Sequence, residues 1–220
     1  MTIKERDLNM KANDYFKERS EVASYMKRLY DRQLTTASGG NISLRINKDL
    51  FCITPSALDK GNLTPDLIAV VNFDGTNLTP HLPLSIETEM HKAILLSRPD
   101  RNAVVHAHPT YTCAFSTAKE STLSTRLTAE AYYILGDAVT VPYKLMGTQD
   151  LARDVASYIK NSEVLLMENH GAVAVGHDLL RAFDCMELLE RAAMMNIIIK
   201  NVDGAKELNE EQLKAIANMR

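Results

Sequence analysis

The segment VVHAHPTYTCAFS places His106 and His108 two residues apart at the end of an apolar run. Side chains alternate along a strand, so both rings leave the same side of it and can face one cation. A third histidine, His170, follows apolar residues in LLMENHGAVAVG and precedes Gly171, which permits a tight turn or a close backbone approach. Three imidazoles with a fourth position left open is the arrangement of a catalytic zinc, with room for water or substrate. The plainer reading is that the two strand histidines are simply hydrogen-bonded near a surface. In LPLSIETEMH, Glu87 and His91 stand four apart on one face of an expected helix, with Glu89 turned away. A carboxylate beside a Lewis acid ligates it or moves a proton, whereas an exposed helical glutamate does neither. His91 is a further ligand candidate by type; His81 and His177 read by position as solvated.

These groups need strands that end at the histidines and a helix that starts near Glu87. Apolar residues at three- and four-residue steps predict an amphipathic helix over 14–34. ISLRI and LFCITP read as strands joined by the turn NKD, and LIAVVNF as a third strand. SIETEMHKAILLSRPD reads as a helix with Ser85 as its N-cap and Pro99 closing it. NAVVHAH and AVTVPY read as strands, AEAYYIL and TQDLARDVASYIKN as helices. EVLLMENHGAVAVG reads as two strands meeting at a turn around Asn169 to Gly171. A long helix, LLRAFDCMELLERAAMMNIIIKN, and a short one, NEEQLKAIANM, complete the chain. Loosely alternating strands and helices, with hairpins, predict a mixed sheet covered on both faces, a three-layer α/β/α sandwich. With no repeat or linker, residues 1–220 read as one domain.

The bulk composition narrows the function classes. Hydrophobic residues are 45% and charged residues 24% of 220, as in ordinary globular domains, which excludes disordered and collagen-like classes. A net charge of -3 gives no basic field for nucleic acid or an anionic membrane. No apolar run approaches the ~20 residues of a membrane-spanning helix. The opening MTIKERDLNMKANDYFKERS is charged throughout, unlike a secretory signal, so the cytoplasm is the expected compartment. Cys52, Cys113 and Cys185 form no CxxC and are expected as reduced, mostly buried thiols.

Five ordered blocks then carry a family resemblance: TASGGNISLRI, ITPSALDKGNLTPDLIAVVNFDG, LPLSIETEMHKAILLSRPDRNAVVHAHPTYTCAFS, VPYKLMGT and LMENHGAVAVG. In this order they resemble the class II aldolase/adducin family, from about Tyr25 to the helix after Gly176. The resemblance implies a central mixed, largely antiparallel sheet. It implies one Zn2+ per subunit on His106, His108 and His170, with Glu87 as catalytic acid/base and His91 outside the ligand set. It further implies phosphate-binding segments at Gly40 and Asn41, at Ser56 and Ala57, and at Ser85. Ile86 stands where the aldolase pattern commonly has a second small hydroxyl residue. The implied reaction is cleavage of an L-fuculose-1-phosphate-like ketose 1-phosphate to dihydroxyacetone phosphate and an aldehyde, through a metal-stabilised enediolate. Glu87 is expected to exchange the proton, its pKa raised by partial burial. Epimerase, dehydratase and decarboxylase activities share this scaffold, as does the non-catalytic adducin head. The resemblance also implies a homotetramer with sites at subunit interfaces.

Overall fold

The computed structural model describes residues 14–120, 122–202 and 204–219. The charged stretch 1–13 lies outside them. Seven strands form one sheet in the order β3-β2-β1-β4-β7-β6-β5. They are β1 (Asn41–Arg45), β2 (Leu50–Ile53), β3 (Ala69–Asn72), β4 (Ala103–Ala107), β5 (Val139–Val141), β6 (Val164–Met167) and β7 (Gly171–Gly176). Every pairing is antiparallel except β5 with β6. The sheet is therefore mixed and largely antiparallel, as expected.

Alternation along the strands divides the core in two. Ile42, Leu44, Val70, Val105, Ala107, Ala172 and Ala174 face one apolar layer; Phe51, Ile53, Val71, Val104, Val173 and Val175 face the other. The first layer is closed by helices α1 (Phe16–Asp31), α3 (Thr110–Ser116), α4 (Ala129–Leu135) and α6 (Leu179–Ile199). The second is closed by α2 (Thr88–Ser97) and α5 (Gln149–Tyr158), and a last helix, α7 (Glu210–Ala217), packs on α4. Each fully buried Leu, Ile, Val or Phe in these layers contributes about 1.5–3 kcal/mol.

Local chemistry sets the element ends. Thr148 caps α5 by accepting from the Leu151 N–H, and Asp178 caps α6 by accepting from Arg181. The NKD turn is closed by Asn47, whose side-chain oxygen accepts from Asp49 and Leu50. One boundary differs from expectation. Helix α2 begins at Thr88 with Glu87 in the N-cap position, so Ser85 is not its cap. Ser85 instead lies one turn earlier, its Oγ accepting from the Glu87 N–H at 3.3 Å. The helix thus starts on the residue expected to do the chemistry.

Candidate metal and acid/base site

Strand β4 sends Ala103, Val105 and Ala107 to one layer and Val104 and His106 to the other. His106 sits opposite Asn41 of β1 and Val173 of β7. His108, just past the strand, turns its ring to the same side, with ring centroids 4.7 Å apart and planes nearly perpendicular at 87°. The third ring comes from the β6–β7 hairpin. Asn169 adopts the left-handed region (φ 54°), and the His170 N–H closes back on the Met167 carbonyl at 3.0 Å. This puts the His170 ring 5.0 Å from His106 and 5.6 Å from His108. A Cβ on Gly171 would stand 2.6 Å from the Ala107 carbonyl oxygen and from the His108 ring. Only hydrogen fits there, so this glycine lets the hairpin close onto the histidine pair.

The three rings each offer a nitrogen within 4.8 Å of the others, a set able to hold a metal ion. Two further observations fit that role. The His106 Nδ1–H donates to the Ala172 carbonyl at 2.9 Å, which aims Nε2 at Glu87 and leaves it as the nitrogen able to ligate once it gives up its proton. Among the described residues five buried polar side-chain atoms lack a hydrogen-bond partner, and three of them are Glu87 Oε1, His106 Nε2 and His170 Nδ1. Unmet bonding capacity concentrated at one spot is what a ligand set shows when its ligand is a cation. His108 is held neutral, its pKa lowered to about 3 by burial and by the neighbouring His106 and His170 charges. A neutral imidazole is the form that ligates.

Glu87 faces this trio. Its Oε2 lies 3.2 Å from His106 Nε2 and its Oε1 3.1 Å from His170 Nε2. The carboxylate is 5% exposed, and burial does push its pKa upward as the sequence suggested. The opposing effects win: the His106 charge, with the contacts from His106, His170 and the Asn41 amide, holds the carboxyl well below the usual range. The expectation of a raised pKa is therefore corrected. Burial is legible in a sequence, but the charges gathered around a buried group are not.

The phosphate-segment residues divide by what they touch. Gly40 has φ 65°, and a Cβ there would stand 2.8 Å from the His106 carbonyl oxygen. Ala57 also sits in the left-handed region (φ 58°), a conformation that costs a non-glycine residue about 1–2 kcal/mol. The Ser56 N–H donates to the Pro83 carbonyl at 2.9 Å, tying its loop to the segment that carries Ser85. Asn41 spends its side chain on the acid and on Ser85: Nδ2 donates to Glu87 Oε2 at 2.8 Å and to Ser85 Oγ at 3.1 Å.

Sequence reasoning missed what lies behind Asn41. Because its Nδ2 serves the carboxylate, its Oδ1 faces His91 Nε2 at 2.5 Å, so that nitrogen carries the proton. His91 Nδ1 then accepts from the Ser43 hydroxyl at 2.7 Å. Burial, reinforced by the His106 charge, lowers the His91 pKa to about 3, which keeps this ring neutral and the chain of donors directed. Ser43–His91–Asn41 is thus a fully buried relay that fixes the Glu87 carboxylate. His91 lies outside the ligand set, as the resemblance implied. His81 and His177 are exposed.

Comparisons with known proteins bear on the family. The model of the class II aldolase and adducin N-terminal domain matches residues 20–197. An L-fuculose phosphate aldolase of Methanococcus maripaludis is 36% identical over 183 residues, covering 83% of this chain and 98% of that protein. A 3-oxo-tetronate 4-phosphate decarboxylase of Haemophilus influenzae is 28% identical over 192 residues, covering 86% and 90%. A solved L-fuculose 1-phosphate aldolase superposes with a TM-score of 0.84 at 28% identity, covering 92% of this chain and 95% of that one. With its three-histidine cluster and mixed sheet in place, the chain belongs to the class II aldolase and adducin family.

Proposed function

We propose that the protein is a zinc-dependent aldolase that cleaves a ketose 1-phosphate of the L-fuculose type to dihydroxyacetone phosphate and an aldehyde. The observation that carries this reading is the Glu87 carboxylate within 3.2 Å of His106 and His170, beside the third histidine. His106, His108 and His170 hold the ion. Bound there, it supplies positive charge against the negative charge that develops as the carbon–carbon bond breaks. Glu87 moves the proton at the carbon of the three-carbon fragment, entering as the carboxylate. Asn41, fixed by His91 and Ser43, aims that carboxylate. Gly40, Ser56, Ala57 and Ser85 form the cradle for the substrate phosphate, joined by the Asn41 main chain. No lysine Schiff base is needed.

A homotetramer acting in the cytoplasm as one domain completes the reading. The exposed apolar side chains Tyr143, Leu145 and Met146 sit in the loop that packs Gly147 against exposed Ile86, next to Glu87. Such a patch suits burial by a neighbouring subunit at the site. Three free cysteines suit a reducing compartment.

One observation favours a second reading, decarboxylation of an oxo-tetronate phosphate: a 3-oxo-tetronate 4-phosphate decarboxylase is among the relatives. A panel of ketose 1-phosphates and oxo-tetronate phosphates, assayed for aldehyde and carbon dioxide with elemental analysis of the protein, separates the two. Glu87→Gln that retains metal yet exchanges protons into dihydroxyacetone phosphate at the wild-type rate would refute the proton-transfer role. Metal-free protein that takes up no zinc, cobalt or manganese would favour an adducin-like scaffold instead.

A further inference from the structure

Lys60 is the only lysine buried among the described residues, at 2% exposure. It lies where the cradle segments meet. Its Nζ donates to the Pro55 carbonyl, directly before Ser56, and its main-chain N–H donates to the Ala37 carbonyl at 2.8 Å, three residues before Gly40. Ser56 in turn is tied to Pro83, two residues before Ser85. Among the described residues no carboxylate pairs with this ammonium. An ammonium taken out of water with only a neutral carbonyl to face is costly, by several kcal/mol in typical cases. A lysine that merely stapled two loops would be replaceable by a neutral donor at lower cost.

We propose that Lys60 is the buried counter-charge for the substrate phosphate, positioned beneath the cradle and holding the Ser56–Ala57 loop against the Gly39–Gly40 loop. The proposal rests on the reading of these loops as a phosphate cradle. Burial brings the ammonium pKa down to about 8, which measures how poorly the unliganded protein compensates this charge. A phosphate dianion in the cradle supplies the missing compensation. Loss of one donor at Ile86 makes a fixed cation under the site more valuable to anion affinity.

The test uses inorganic phosphate as probe and the zinc-loaded protein, by calorimetry, with the cobalt(II) spectrum of each variant as a check on the metal site. Lys60→Gln keeps a donor for the Pro55 carbonyl but removes the charge. It should weaken phosphate about tenfold or more, a loss well within what one charge at short range supplies in an effective dielectric of about 20. It should raise KM for the phosphorylated substrate more than it lowers kcat, and Lys60→Arg should recover part of the loss. Lys60→Gln that binds phosphate as wild type does overturns the role of Lys60 while leaving the cradle intact. Wild-type protein that binds metal but no phosphate overturns the cradle and the proposal with it. Should the variants not fold, wild-type protein carrying 15N-lysine decides: the buried ammonium signal must move on saturation with phosphate, and an unmoved signal overturns the proposal.

Discussion

The two ends of the central strands β4 and β7 are built on opposite principles. At the end that carries His106, His108 and His170, buried polar atoms are gathered and left unpaired. At the other end, arginines and carboxylates are gathered and paired with one another. Arg98 donates to Asp100 through two nitrogens, to the Ile159 and Ser162 carbonyls at 2.8 and 2.9 Å, and to Glu163. Arg101 grips the same Glu163 through Nε and Nη2 at 3.0 and 2.5 Å. One pair of strands therefore carries the candidate site at one end and an ion-pair network at the other, and buried polar groups alone do not mark a site; unmet valence gathered at one spot does.

Exchanging charge for neutrality at each end tests that contrast. Glu87→Gln should lower turnover by about 10²–10⁴-fold, the usual contribution of a positioned acid/base, with metal content retained. Turnover near the wild-type rate would break the contrast. Arg98→Ala should cost about 3 kcal/mol of stability, because the Ile159 and Ser162 carbonyls lose their donor in a buried setting and Glu163 loses one of its two arginines, with activity per folded molecule retained. The same end carries a pH signature. Burial alone would raise the Glu163 pKa, but Arg101 and Arg98 outweigh it and hold it below the ordinary value. Its contribution is thus fully present above about pH 4.3 and is lost as pH falls through the lower folded-state pKa. Urea midpoints measured down to pH 3 should show this loss, and Glu163→Gln should flatten it.

Asn41→Ala tests the relay that aims Glu87. It should reduce turnover about 10–100-fold, as removal of an outer partner at a metal site commonly does, with metal content little changed. The smallest effect belongs to Ala57→Gly. Relief of its left-handed backbone should raise stability by about 1 kcal/mol, read from the thermal midpoint.

The strands, the hairpin at Asn169 and the His106–His108 pair were legible because each is written in local spacing: alternation for the strands, HxH for the pair, NHG for the turn. Glu87, and His170 as the third member, came from the resemblance. The relay was not legible. Asn41 and His91 are 50 residues apart, and they meet only because β1 lies against β4 beneath α2. The paired charges at the other end are equally remote from one another, with Arg98 reaching Glu163 across 65 residues. The Ser85 boundary was misread because a serine before an apolar run looks like a cap, while the register that puts Glu87 there depends on tertiary contacts.

The hairpin at Asn169 also governs when the ion can be captured. Two imidazoles are in place once β4 exists, but the last arrives only after β6 and β7 have paired and β7 has docked along β4. Tight binding is consequently reserved for a chain that has completed its sheet, and the energy of coordination favours that finished state over every partly assembled one. On the proposed reading the cation would seal the fold as well as serve the reaction, so a chelator should expose the β4–β7 seam to exchange before any other part of the sheet.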